Sequence, residues 1–215
     1  MKFRHLASVA TALLLANSAH AGLINGSFET PGFAPNSVNF STTIPGWRTT
    51  ATDSQIEIWH NVANGVPAYD GQQFAELNAN QVSTLYQDAA GIAAGSTVGW
   101  QFAHRGRAGV DVMRFVLTDL GANGLLGGGD DTELFSLQVS DGNNAWAFYN
   151  GGGIVALGNT VRFSFVSVSA AGGATVGNFL DATDFGIGVG NVPEPGSLAL
   201  TGLALVALAA SLRKR

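Results

Sequence analysis

The chain has no cysteine, so neither a disulfide nor a thiolate metal site can hold it together. Lysine is nearly absent: Lys2 and Lys214 lie at the two ends, and none lies between them. Nucleic-acid backbones are bound by dense Lys/Arg neutralisation, so this scarcity argues against nucleic acid as a partner. No stretch between the ends sustains helical periodicity. There is also no G-x-S-x-G step, and no grouping of Ser, His and acid suggests a triad. What the chain does have is glycine, 29 residues of it, set with Asn, Asp and Ser between short apolar segments. That punctuation is an all-β signature.

The two ends read differently from the middle. "MKFRHLASVATALLLANSAHA" sets basic Lys2 and Arg4 before an apolar stretch from Leu6 to Ala16, then small Ala19 and Ala21. This is the layout of a secretory signal peptide over residues 1–21, with Gly22 as the mature N-terminus; a buried N-terminal helix is the competing reading. At the other end, Leu198 to Leu212 would form a helix of about 22 Å, short of the ~30 Å hydrocarbon core of a bilayer. Arg213, Lys214 and Arg215 follow, and the positive-inside tendency keeps them cytoplasmic, with everything before Ser197 outside.

Val192, Pro193, Glu194 and Pro195, then the apolar helix and the basic end, resemble a PEP-CTERM protein-sorting tail over residues 192–215. The resemblance implies a Gram-negative bacterium that makes exopolysaccharide. It also implies an exosortase-type membrane protease that cleaves near the Pro-Glu-Pro step, a tail held transiently in the membrane, and a mature protein at the cell surface or beyond it. From span length alone, an ordinary C-terminal anchor is the alternative.

Residues 22–191 then form one domain of ordinary size. This body carries 14 acids against five arginines, a net charge of −9 that the whole-chain value of −5 conceals. Strands are predicted at Ser54–His60, Gln73–Ala79, Ser83–Asp88, Thr97–Arg105, Asp111–Leu120, Glu133–Ser140, Ala145–Tyr149, Thr160–Val168 and Asp184–Val189. Eight or nine strands predict a two-sheet antiparallel β-sandwich, a jelly roll. Alternation places Phe135, Leu137 and Val139 on one face of their strand, and Met113, Phe115 and Leu117 on one face of theirs. In "TVRFSFVSVSA" the apolar phase shifts after Phe165, which predicts a bulge or a strand buried on both faces.

The order "GLINGSFETP", "IPGWRTT", "IEIWHN", "YDGQQFAELNAN" and "LYQD" resembles a galactose-binding-like jelly roll of secreted carbohydrate-associated modules. The resemblance implies pairing of the first and last strands, ligand-binding loops at one end of the sandwich, and a structural calcium. Independently of it, period-two alternation in "QIEIWH" puts Glu57 and Trp59 on one face, and in "QFAELNAN" it does the same for Phe74, Glu76 and Asn78. A ring plane beside carboxylates suits a sugar, whose C–H face stacks and whose hydroxyls donate. If these strands are neighbours, Glu57, Glu76 and Asn78 make a polar patch flanked by Trp59 and Tyr69. The competing reading buries Trp59 in the core and pairs Glu57 with an arginine.

Arg105 and Arg107 concentrate basic charge, either for ion pairs with Glu76, Asp70 or Asp111 or for an acidic sugar. Asp130, Asp131 and Glu133 follow three glycines in a loop whose composition would admit calcium, although it matches no calcium-loop spacing; a solvated turn is the alternative. His60 and His104 alone cannot make a typical zinc site. Glu57 and Glu76 are the pair a glycoside hydrolase would use.

Taken together these features predict an exported, non-enzymatic, carbohydrate-binding β-sandwich associated with extracellular polysaccharide or biofilm matrix. Its alternatives are a structural matrix or adhesion protein without sugar binding, and a glycoside hydrolase. The intact mass of the secreted protein should begin at Gly22 and end near Pro195; recovery of residues through Arg215 outside a membrane fraction would contradict processing of the tail.

Overall fold

Alternating burial dictates the architecture. The computed structural model describes residues 22–158 and 160–189, and the signal peptide and sorting tail lie outside these described residues. Eleven strands form: β1 (Val38–Ser41), β2 (Arg48–Thr49), β3 (Ile56–His60), β4 (Gln73–Glu76), β5 (Thr84–Ala90), β6 (Thr97–Arg105), β7 (Asp111–Asp119), β8 (Thr132–Asp141), β9 (Ala147–Val155), β10 (Thr160–Ser169) and β11 (Phe179–Ile187). They pair antiparallel throughout, in the orders β1-β3-β4-β11-β6-β9 (sheet A) and β2-β5-β10-β7-β8 (sheet B). Among the described residues, no helix is long and apolar enough to cross a membrane.

The two sheets stack their inner faces into one core. Sheet B contributes Met113, Phe115, Leu117, Val161, Phe163 and Phe165, and sheet A contributes Trp100, Phe102, Leu180 and Phe185. The rings interlock across the interface, with centroids 5.2 Å apart for Phe102 and Phe115 and 5.3 Å for Phe102 and Phe165. Gly151 sits opposite Trp100 on β9, where a Cβ would come within 2.7 Å of the indole, so glycine is required for that close approach.

All nine predicted segments fall on strands. The two additional strands, β1 and β2, have only four and two residues, too short for alternation to be seen. β11 begins at Phe179 rather than Asp184 because buried Asp181 and a register shift between Asp181 and Asp184 interrupt its apolar pattern. In β10 the alternation in fact continues, with Ser167 taking the inward position after Phe165; the bulge falls between Ser167 and Ser169. The implied pairing of first and last strands does not occur, since β3 and β4 separate β1 from β11. What meets β11 is the segment before β1, where the Gly26 carbonyl accepts the Thr183 N–H at 3.0 Å and the Thr183 hydroxyl at 2.7 Å.

With no disulfide, this packing must supply the stability. Phe102→Ala should lower the unfolding free energy by about 3–5 kcal/mol in chemical denaturation. A loss under about 1 kcal/mol would show that the sheets do not rest on these rings.

Candidate functional site

The predicted patch assembles, but beneath the surface. β3 and β4 are neighbours, with Glu57 directly opposite Glu76 and Trp59 opposite Phe74. The loop joining these strands folds over the outer face of sheet A, and Trp59, Phe74, Phe179 and Ala63 form a second small core there with Val66, Ala68 and Trp146 packed against it. Glu57, Trp59, Glu76 and Asn78 are each at most 3% exposed, so they cannot receive a sugar in this conformation. Alternation assigned the shared face correctly, and tertiary packing buried it.

Within this layer each glutamate accepts hydrogen bonds, but only Glu76 has a cation. The Arg107 guanidinium donates from Nη1 to both Glu76 oxygens at 3.0 Å and lies 4.8 Å over the Trp59 ring. The Trp59 indole N–H donates to Glu57 at 2.9 Å. The Gly177 N–H donates to Glu76, and the positive φ of Gly177 (+120°), with Asp111 where a Cβ would stand, makes that position glycine-specific. Burial, followed by the charge of Glu76, pushes Glu57 well above the usual carboxylate range. Burial also raises Glu76, against the opposing pull of Gly177 and Arg107. One arginine faces two buried carboxylates, so the pair holds a proton more tightly than exposed carboxylates do.

Arg105 departs from its expected role. It meets no carboxylate, and its Nη2 donates to the Asn143 carbonyl. Arg107 does pair with Glu76, and its backbone N–H donates to Asp111. Tyr69 reaches the surface, but beside Phe148 and Trp146 rather than over the glutamates. The side-chain amide of Asn78 has no partner among the described residues.

Asp130, Asp131 and Glu133 do not converge. Asp130 accepts from Ala122 and Asn123 and Asp131 from Gly127, so both aspartates close the β7–β8 loop, while Glu133 accepts the Ser136 hydroxyl along β8. Among the described residues, no three His, Cys, Asp or Glu side chains gather for a metal ion.

The open face is that of sheet B. Its outward row runs Arg48–Tyr86–Ser164–Val116–Ser136 across all five strands. Arg162 lies on one side of that row and Arg114 on the other. Two cavities of about 250 and 280 Å³ adjoin at Tyr86, the first lined by Arg48 and Thr49, the second by Arg114, Arg162, Thr84 and Ser164. Arg162 is locked in place: Nε and Nη2 fork onto the two Asp88 oxygens at 2.6 and 2.9 Å, and the guanidinium stacks 4.0 Å over the Tyr86 ring. Arg48 and Arg114 are exposed. Sequence reasoning missed this row because its members lie far apart in the chain; the only local signal was "LYQD", where Tyr86 and Asp88 share a face.

This topology defines an all-β jelly-roll sandwich. Solved structures similar to it include TmCBM61 in complex with beta-1,4-galactotriose, at 18% identity over 76% of this chain and 95% of that one, with a TM-score of 0.48. Another is the CBM22-1 xylan-binding domain of Paenibacillus barcinonensis Xyn10C, at 12% identity over 74% and 96%, with a TM-score of 0.49. The C-terminal family 22 carbohydrate binding module of Clostridium thermocellum Xyn10B is 12% identical over 78% and 97%, with a TM-score of 0.46. No curated protein matches the chain. Residues 191–215 match the PEP-CTERM protein-sorting motif, so the chain carries a C-terminal sorting tail and is an exported protein.

The buried proton sets a pH dependence. The glutamate pKa values are raised on folding, so the native state binds more protons than the unfolded chain once pH exceeds the usual carboxylate range. The contribution is complete at acid pH and is lost as pH rises through neutrality. Glu57→Gln, which keeps the acceptor for Trp59, should flatten the fall in thermal midpoint between about pH 5 and about pH 9. Parallel curves for variant and wild type would place the proton elsewhere.

Proposed function

We propose that the mature body is a non-catalytic module that binds an acidic extracellular polysaccharide in the sheet B groove, and that exosortase-type processing of the tail releases it at the cell surface. The single observation that carries this reading is the arginine row: exposed Arg48 and Arg114 lie on one open face to either side of the Arg162–Asp88 pair and Tyr86, with Glu133 at its edge, on a body with net charge −9. The exposed Arg48 and Arg114 guanidiniums present planar forks to uronate carboxylates, and Thr84 and Ser164 offer hydroxyls to the sugar oxygens. The acidic body repels an anionic chain at a distance. With a Debye length of about 8 Å at physiological salt, however, the groove's own charges dominate once contact is made.

The hydrolase alternative would need Glu57 and Glu76 to reach substrate, and both are buried and committed to Trp59, Gly177 and Arg107. Isothermal titration with oligogalacturonates, run with calcium and with chelator, tests the proposal. Binding should weaken as salt is raised, and Arg48→Ala with Arg114→Ala should reduce affinity by about tenfold or more, ~1.4 kcal/mol. Absence of binding at low salt in both conditions would overturn it and favour a structural matrix or adhesion role. Release of reducing ends, lost in Glu76→Gln, would favour the hydrolase.

A further inference from the structure

Where the loop that roofs sheet A meets β9, aromatic rings return to the surface. Tyr69 is 45% and Phe148 40% exposed, and their rings are parallel to within 3° with centroids 5.6 Å apart. Trp146 stands edge-on to Tyr69 at 6.3 Å and is anchored from below, packing on Phe74 at 5.4 Å and donating its indole N–H to the Pro67 carbonyl at 2.8 Å. The loop is pinned too: the N–H groups of Tyr69 and Asp70 both donate to one oxygen of buried Asp181, at 2.8 and 2.9 Å. The rings are therefore held in place before any ligand arrives, which removes part of the ordering cost of binding.

Asp70, next to Tyr69 in the chain, lines a cavity of about 300 Å³ with Asp184, Ser27 and Gln101, and Gln101 lies two positions before Ala103, the cross-strand partner of Phe148. Asp70 already accepts the Ser27 hydroxyl at 2.6 Å and keeps its other oxygen free of any side-chain bond among the described residues. An apolar ring face bordered by carboxylates and an amide is amphipathic in the way a pyranose is: C–H groups meet the rings and hydroxyls donate to carboxylate oxygens. The charge at this rim is opposite to that of the sheet B groove. Carboxylates repel a uronate and accept from neutral sugar hydroxyls.

We infer that Tyr69, Phe148 and Trp146, with Asp70, Asp184 and Gln101 at their rim, form a second carbohydrate site that takes a neutral polysaccharide segment on the face opposite the arginine groove. This site shares no residue with the sheet B groove, so either reading can fail without the other.

Soluble xylan and hydroxyethyl cellulose are the probes, titrated against the mature protein by calorimetry and tryptophan fluorescence. Binding of at least one is expected, with a change in Trp146 emission. Tyr69→Ala combined with Phe148→Ala should weaken it at least tenfold while leaving the thermal midpoint and oligogalacturonate binding unchanged. Tyr69→Phe, which keeps the ring, should retain binding, and Arg48→Ala should leave it intact. Failure of both neutral probes to bind, or wild-type affinity in the double alanine variant, would overturn the inference. Should the double variant be destabilised, Asp184→Asn and Gln101→Ala test the rim without touching the rings, and unchanged affinity in both would likewise count against it.

Discussion

The contact between Arg107 and Glu76 is what allows sheet A to be buried on both faces. Glu76 projects from the outer face of β4, opposite Glu57, and without a cation two carboxylates there would draw water under the loop. Arg107, 29% exposed, comes from the turn between β6 and β7 and lies across Glu76 and the Trp59 ring, so one side chain neutralises a charge and covers an indole. The β3–β4 loop and Trp146 can then pack down as a second hydrophobic layer. Because that layer occupies sheet A, the broad open face of the sandwich is left to sheet B, and the Tyr69–Phe148–Trp146 group lies at the margin of the roof.

A second polar thread ties the sheets to each other. His104 on β6 is fully buried, with Nδ1 2.7 Å from Asp141 on β8 and Nε2 3.0 Å from the Asn178 side-chain oxygen. The Asn178 amide nitrogen donates in turn to the Ser167 hydroxyl and the Ser169 carbonyl on β10, and the Tyr149 hydroxyl from β9 donates to Asp141. β6 and β9 belong to sheet A, β8 and β10 to sheet B. Buried polar groups that are fully partnered specify one arrangement and make any slip costly, since each broken bond leaves an unsatisfied group. In a chain without cysteine, this network fixes sheet-to-sheet register where a disulfide otherwise would.

The difference between what was legible in the sequence and what was not follows from the range of the interactions. Period-two alternation is local, and it sufficed to find the major strands, the inward faces of β7 and β8, and the shared face of Glu57 and Trp59. Burial of that face depends on the segment between Asn61 and Gln72, which has no periodicity, and on Trp146, far along the chain. Arg48 and Tyr86 are cross-strand partners 38 positions apart, and Tyr86 meets Ser164 through another 78, so only the completed sheet brings the arginine row together. The acidic loop shows the same limit: three carboxylates in a short span suggested a cation, and in the fold they accept from different nearby N–H or hydroxyl donors rather than converging. Loop carboxylates beside glycine-rich turns have this second use, and composition cannot separate it from coordination.

Opposite charge on opposite faces also bears on what the proposed module would do among polysaccharide chains. The two proposed sites share no residue and lie on opposite sheets of one close-packed core. On the proposed reading, two independent sites on one body would act as a cross-link, because a chain held on the arginine face and a different chain held on the aromatic margin would be kept about a sandwich thickness apart. Linkage of this kind gains strength from multivalency along each polymer rather than from tight individual sites, so shallow grooves of a few hundred Å³ are sufficient. On that reading the choice between a sugar-binding module and a structural matrix protein loses its sharpness, since weak binding at two faces would itself be a structural role.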